Sequence, residues 1–159
     1  MKKQIFIFSL VTAFILICLS FTQKEHSKFD FTGQYAASNI RGFNYTPANV
    51  KSPRHHIDSW INYDSSVTVF DLDLAKSLNL NQARVFIPYD AYVEDKAGLP
   101  AKMQHFVREC HNRGIGVMPV IGYGPWLRDS SQMDKAVEWA EFLVTTLSNE
   151  PGLAMWDVM

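Results

Sequence analysis

Arg84 stands in the middle of Gln82-Ala83-Arg84-Val85-Phe86-Ile87-Pro88, a run with the two-residue alternation of a β-strand. Ala83, Val85 and Ile87 share one face, small and aliphatic throughout, which suits burial under helices. Arg84, Phe86 and Pro88 share the other. A guanidinium keeps its charge, so inside a fold it needs a carboxylate or several acceptors beside it. The simpler alternative is a strand-end arginine that reaches solvent.

Aromatic and hydrogen-bonding side chains gather near the predicted ends of other strands. Asn44 and Tyr45 close the first strand, and Trp60 lies in the loop after it. Tyr89, Asp90 and Tyr92 follow the second, and Tyr123 and Trp126 follow the third. A pyranose has an apolar C–H face that can lie on an aromatic ring, while its hydroxyls need donors and acceptors. The combination therefore suits a sugar, against the competing use of each ring as packing beneath its own loop.

Other reactive residue types point nowhere in particular. His55 and His56 are adjacent, so their side chains diverge, and no acidic or Cys residue has metal-ligand spacing to them. They read as solvated loop residues. His105 and Glu109 share a helix face without an H-E-x-x-H pattern and read as a surface contact. No Ser-His-Asp arrangement or nucleophile elbow is present.

The elements that must position these groups follow from periodicity. Ile40 to Tyr45 reads as a strand ended by Thr46-Pro47, and residues 47 to 66 as a long loop. Val67, Phe70, Leu74 and Leu78 have helical spacing, with Ser65 or Ser66 as the expected N-cap. After the strand of Arg84, Leu99-Pro100 opens a helix with the stripe Met103, Phe106, Val107 and Cys110, stopped by Gly114. Ile115 to Ile121 is a third strand. Met133, Ala136, Val137, Ala140, Leu143 and Leu147 mark another helix, and Pro151-Gly152 leads into a last strand over Gly152 to Met159.

The order β-α-β-α-β-α-β implies a parallel sheet with crossover helices. Two architectures fit: a doubly wound open sheet, or the first half of a (β/α)8 barrel. A complete barrel takes ~250 residues, so four strands would be about half. The first strand lacks the G-x-G-x-x-G of a dinucleotide-binding sheet, and no P-loop is present. In a barrel, working residues stand at the carboxyl ends of strands, where the groups named above are found.

Composition bounds the rest. Apolar residues make up 47% and charged residues 19% of the chain, as in a globular protein. A net charge of −1 without a basic block leaves no nucleic-acid footprint. Residues 1–20 read as an export signal, with Lys2-Lys3 ahead of an apolar run from Ile5 to Leu19 and a cleavage point after Ser20. An uncleaved anchor is the alternative, although the run is shorter than the ~20 residues a spanning helix needs. Residues 21–38 form a polar spacer, and residues 39–159 the folded part. The expected location is exported, periplasmic or extracellular, off the membrane once the signal is removed. Cys18 leaves with the signal, so Cys110 is alone and reads as a packed core residue.

Three segments in this order resemble a known family. Arg41-Gly42-Phe43-Asn44-Tyr45, Ala83-Arg84-Val85-Phe86-Ile87-Pro88 and Trp156-Asp157-Val158-Met159 look like the first, second and fourth strands of the retaining glycoside hydrolases related to cellulases, glycoside hydrolase family 5 and its clan. The resemblance covers residues 39 to 159 and implies a (β/α)8 barrel, of which this chain would be the first half, truncated. It implies hydrolysis of a β-linked oligo- or polysaccharide of the cellulose, mannan or xylan type, with no cofactor and no metal. Arg84 matches the second-strand arginine that hydrogen-bonds the nucleophile. Asn44, Tyr45, Trp60, Tyr89 and Trp126 are the expected substrate contacts. The fourth strand of that family ends in Trp-x-x-x-Asn-Glu-Pro, with the glutamate as acid/base, so the Asn-Glu is expected just beyond Met159 and the nucleophile on a later strand. The chain alone is then expected to be inactive and to fold poorly. The family's third-strand histidine has no counterpart in Pro119-Val120-Ile121-Gly122-Tyr123. The alternatives are a non-catalytic carbohydrate-binding barrel, or an unrelated (β/α)8 hydrolase that would need metal ligands at strand ends.

Overall fold

A computed structural model describes residues 39–121 and 129–158. Its elements in chain order are β1 (Gly42–Tyr45), α1 (His55–Ile61), α2 (Ser65–Ser77), β2 (Gln82–Phe86), α3 (Tyr89–Glu94), α4 (Leu99–Asn112), β3 (Gly116–Ile121), a short 3-10 turn (Ser130–Gln132), α5 (Met133–Leu147) and β4 (Asp157–Val158). The four strands form one parallel sheet in the order β1-β2-β3-β4, each beside its neighbour in sequence.

The two faces of the sheet differ, and that difference separates the two architectures. Ala83, Val85, Ile87 and Val117 are buried with Leu72, Phe106 and Leu143 from the helices. Arg84, Phe86 and Met118 on the opposite face stay half-buried, and Asn44 is exposed. Helices thus cover one face, as on the outside of a barrel, whereas a doubly wound sheet is covered on both. The fold is a partial (β/α) barrel.

α4 is the central outer helix, and its sequence pattern carries over directly. Leu99, Met103, Phe106, Val107 and Cys110 are all buried. Pro100 lies in the first turn, and Gly114 takes the left-handed backbone (φ 71°) that ends the last one. Burial pushes the Cys110 thiol far above its ordinary value, which leaves it a packed core group. Gly152 comes so close to the carbonyl of Val107 that a Cβ there would sit 2.3 Å from it. The approach to β4 therefore requires glycine at this position.

Several expectations need correcting. Residues 47 to 66 are not all loop, because α1 forms within them. The N-cap of α2 is Asp64 in place of Ser65 or Ser66. Its backbone is extended, and its carboxylate accepts from the N–H groups of Ser66 (2.8 Å) and Val67 (3.2 Å), which adds favourable charge at the helix start. The stripe Val67, Phe70, Leu74 and Leu78 does not face the core. Thr68, Leu72 and Ala75 do, while Phe70, Leu74 and Leu78 are 70%, 52% and 63% exposed. Asp73 turns towards α4 and meets Arg113 at 2.7 Å, so the apolar stripe lies on the opposite flank, beside β1.

α5 repeats this division. Trp139, Leu143 and Leu147 are buried, with Trp139 absent from the expected stripe, and Met133, Val137 and Val144 are exposed. α2 and α5 each expose a second set of apolar residues, whereas α4 does not. The last strand is also shorter than expected: Asp157 and Val158 pair with Val120 and Ile121, preceded by an isolated bridge from Leu153 to Val117.

Asp64→Ala should lower the chemical-denaturation midpoint, because the Ser66 and Val67 N–H groups lose their acceptor. Ser65→Ala should shift the chemical-denaturation midpoint far less, and equal losses from the two variants would contradict the capping assignment.

Candidate functional site

The carboxyl half of the sheet's uncovered face is where charged and polar groups converge. Asn44 is the register partner of Arg84, which in turn pairs with Met118. One step further along, Phe86 is level with Val120, and Val120 with Asp157. Partners in a parallel ladder share a face, so Asn44, Arg84, Phe86 and Asp157 all belong to this side.

Arg84 leans along the strand direction to reach across β3. Its Nε donates to Oδ2 of Asp157 at 2.5 Å, and its guanidinium carbon lies 4.6 Å from the centre of the Phe86 ring. Phe86 is braced in turn by His56, with ring centroids 4.7 Å apart, and His56 by His55 at 3.9 Å. Asp157, Arg84, Phe86 and His56 thus form one connected row across the rim. The two charged side chains are 27% and 24% exposed. Partial exposure keeps the desolvation cost moderate, and a pair of this kind contributes roughly 0–1 kcal/mol to folding. Its value for stability is small.

α1 delivers His56 to the row, and the sequence shows how so short a helix is held. Trp60 donates from its indole N–H to the carbonyl of Phe86 at 2.7 Å, fastening α1 to the end of β2. Lys102 of α4 donates to the carbonyls of Trp60 (2.8 Å) and Ile61 (2.9 Å), satisfying the helix C-terminus with a cation. Arg54 grips both carboxylate oxygens of Glu94 at 2.7 and 2.9 Å. Burial and the neighbouring His55 lower the pKa of His56, favouring the neutral ring against Phe86.

The expected substrate contacts divide. Arg84 and Asn44 are on the uncovered face, as the alternation requires. Tyr89 opens α3 at the carboxyl end of β2, half-buried, with the Lys135 ammonium 4.4 Å from its ring centre. Tyr45 and Trp60 are corrected. Tyr45 follows Asn44, so it points to the helices, where it is 7% exposed against Phe106 and its hydroxyl lies 3.4 Å from Thr68 and from Asp71. Burial pushes its phenol well above the ordinary value. Trp60 is 3% exposed, stacked near Tyr63 and edge-on to Phe106. Both rings are core. Trp126 and Tyr123 lie outside the described residues, as do residues 1–38.

Asp157 and His56 are the site groups that spacing did not single out. The signal for Asp157 is a lone carboxylate in an apolar strand; the signal for His56 emerges only once α1 is seen to form. His105 and Glu109 part company: His105 meets the Tyr63 hydroxyl at 2.8 Å, and Glu109 pairs with Arg113. Among the described residues, no three His, Cys, Asp or Glu side chains are grouped so as to hold a metal. None of the described helices is long and apolar enough to cross a membrane.

Comparison with known proteins places this geometry on a familiar scaffold. No family model matches the sequence, and no curated protein matches it significantly. Solved structures do match. An exo-β-1,4-mannosidase from Opitutaceae bacterium strain TAV5 superposes with a TM-score of 0.59 at 20% identity, over 77% of this chain and 25% of its own. The GH5_18 protein of Streptomyces cattleya, in complex with GlcNAc, gives 0.55 at 19% identity, over 73% of this chain and 32% of its own. The fold is that of these barrels. The chain spans about a quarter to a third of the length of the structures it matches.

Lys102→Met would leave two helix-terminal carbonyls without their donor and should cost about 1–3 kcal/mol. The Lys102 ammonium also holds the Asp95 carboxyl below the usual carboxylate range. That contribution to stability is present above the ordinary Asp value near ~3.9 and is lost as pH falls through the depressed one. In Lys102→Met the Asp95 titration, followed by NMR, should therefore move up, and the stability lost to the substitution should shrink in acid.

Proposed function

We propose that the chain is the amino-terminal part of the catalytic barrel of an exported retaining β-glycosidase of the cellulase-like clan. Its substrate is a β-linked polysaccharide of the cellulose, mannan or xylan type. The observation that carries the reading is Arg84, a permanent cation on the inner face of the second strand, at the end where (β/α) barrels do their chemistry. The likeness to a mannosidase and to a GH5_18 protein holding a sugar supports it at the level of substrate class.

Retaining hydrolysis needs two carboxyl groups ~5–5.5 Å apart, one a nucleophile and one protonating the leaving oxygen. The acid must be protonated at working pH, so its environment raises its pKa. The nucleophile must be ionised, and a guanidinium beside it favours the charged form. Arg84 takes that second role. Asn44 offers its amide to a sugar hydroxyl and Tyr89 a ring face at the rim, and Trp126 is proposed from the sequence as a further sugar contact. The acid/base is proposed to follow β4 and the nucleophile to stand on a later strand, so residues 1–159 alone do not turn over substrate. This mechanism uses no metal or organic cofactor. Export through residues 1–20 brings the enzyme to polymers that cannot enter a cell.

Reducing-sugar release from a panel of cellulose, mannan and xylan by the complete protein tests the reading. Arg84→Met should lower kcat by ~10²–10³-fold, the scale of losing one preorganised electrostatic partner. No release from any β-glycan, or an Arg84→Met variant as active as the parent, would sink it.

A further inference from the structure

An arginine that must serve a reacting carboxylate has a difficulty of its own, because its long side chain is free to swing. The structure restrains Arg84 from two directions. Asp157 holds the edge of the guanidinium through Nε at 2.5 Å, and the Phe86 ring lies against its face at 4.6 Å. An edge contact and a face contact together fix both the reach of the side chain and the plane of the group. The register shows the direction of the pull: Arg84 is level with Met118, and Asp157 with Val120, two residues nearer the carboxyl rim. The carboxylate therefore draws the guanidinium upward, towards the working end of the barrel. His56 supports Phe86 from α1 at 4.7 Å.

We propose that Asp157 is a positioning residue for Arg84, acting through the geometry of its hydrogen bond and not merely by neutralising charge. The inference rests on the glycosidase reading for its functional consequence, and on the Asp157–Arg84–Phe86 row for its structural one. It goes beyond the Trp-x-x-x-Asn-Glu-Pro resemblance, in which position 157 is unspecified. Such restraint is what preorganisation requires: a supporting group off by about 1 Å can cost ~10²-fold in rate.

Two substitutions separate orientation from charge. Asp157→Asn keeps the length and an acceptor oxygen for Nε–H but removes the charge. Asp157→Glu keeps the charge but displaces the acceptor by one methylene. Positioning predicts, for β-glycan hydrolysis by the complete protein, a loss of several-fold in kcat for Asp157→Asn. Losses of ~10–100-fold are expected for Asp157→Glu and Asp157→Ala, with KM nearly unchanged. The reverse order, with Glu close to the parent and Asn severely impaired, would overturn the proposal in favour of charge neutralisation. A second arm needs no activity: ¹⁵N relaxation of arginine Nε–H groups in the full chain. The Arg84 resonance should be rigid in the parent and mobile in Asp157→Ala. An Arg84 already mobile in the parent, or equally rigid without Asp157, would overturn it. Absence of hydrolysis by the parent protein would count against the glycosidase reading, while the relaxation arm would still decide the restraint.

Discussion

Everything at the rim depends on the direction in which β2 turns its side chains. Ala83, Val85 and Ile87 are pinned under α2, α4 and their neighbours because they are small, apolar and two residues apart. Burying each of the larger ones is worth about 1.5–3 kcal/mol, and a one-residue slip would expose them all while forcing Arg84 among the helices. That cost fixes the register, and the register alone puts Arg84 and Phe86 on the uncovered face. The charged row across the sheet is thus held in place by apolar residues that never touch it.

The same logic explains how a polar site can sit on so weak a base. The Arg84–Asp157 pair adds little to stability, and its geometry is supplied by stronger features around it. Trp60 and Lys102 anchor α1, α1 carries His56, and His56 backs Phe86. Two residues that look like substrate contacts in the sequence prove to be fasteners: Trp60 ties α1 to the end of β2, and Tyr45 reaches from β1 to Thr68 and Asp71 of α2. Their polar tips explain the ambiguity: an aromatic ring that also needs a hydrogen-bond partner is equally suited to a sugar and to a strand end.

Legibility in the sequence followed the strength of the physical signal. The parallel β/α order, the buried stripe of α4 with Cys110 in it, and the inward Arg84 could all be read, because each rests on strict periodicity. α1 could not, since its seven residues have no side-chain N-cap and are held by tertiary bonds: Trp60 donates to Phe86, Lys102 donates to the helix end, and Arg54 just before the helix grips Glu94. The inward stripe of α2 was masked by a second, more hydrophobic one on its flank. Thr68 and Ala75 face the core while Phe70 and Leu74 do not, an inversion that composition hides. Asp157 escaped notice because a two-residue strand carries almost no alternation from which to infer a face.

The strand order has a consequence for how the chain acquires its structure. Because β1, β2, β3 and β4 lie side by side in the order of synthesis, every pairing joins a new strand to the one just finished. Such a sheet can grow vectorially, edge by edge, without waiting for distant sequence, and its loop-closure costs stay low. The penalty is that edges stay exposed while it grows: Phe70 and Leu74 remain in solvent on the β1 side, and Val137 and Val144 on α5. For this architecture, emergence from the ribosome is a race between adding the next strand and sticking to something else, and the apolar flanks mark where a chaperone would have to stand guard.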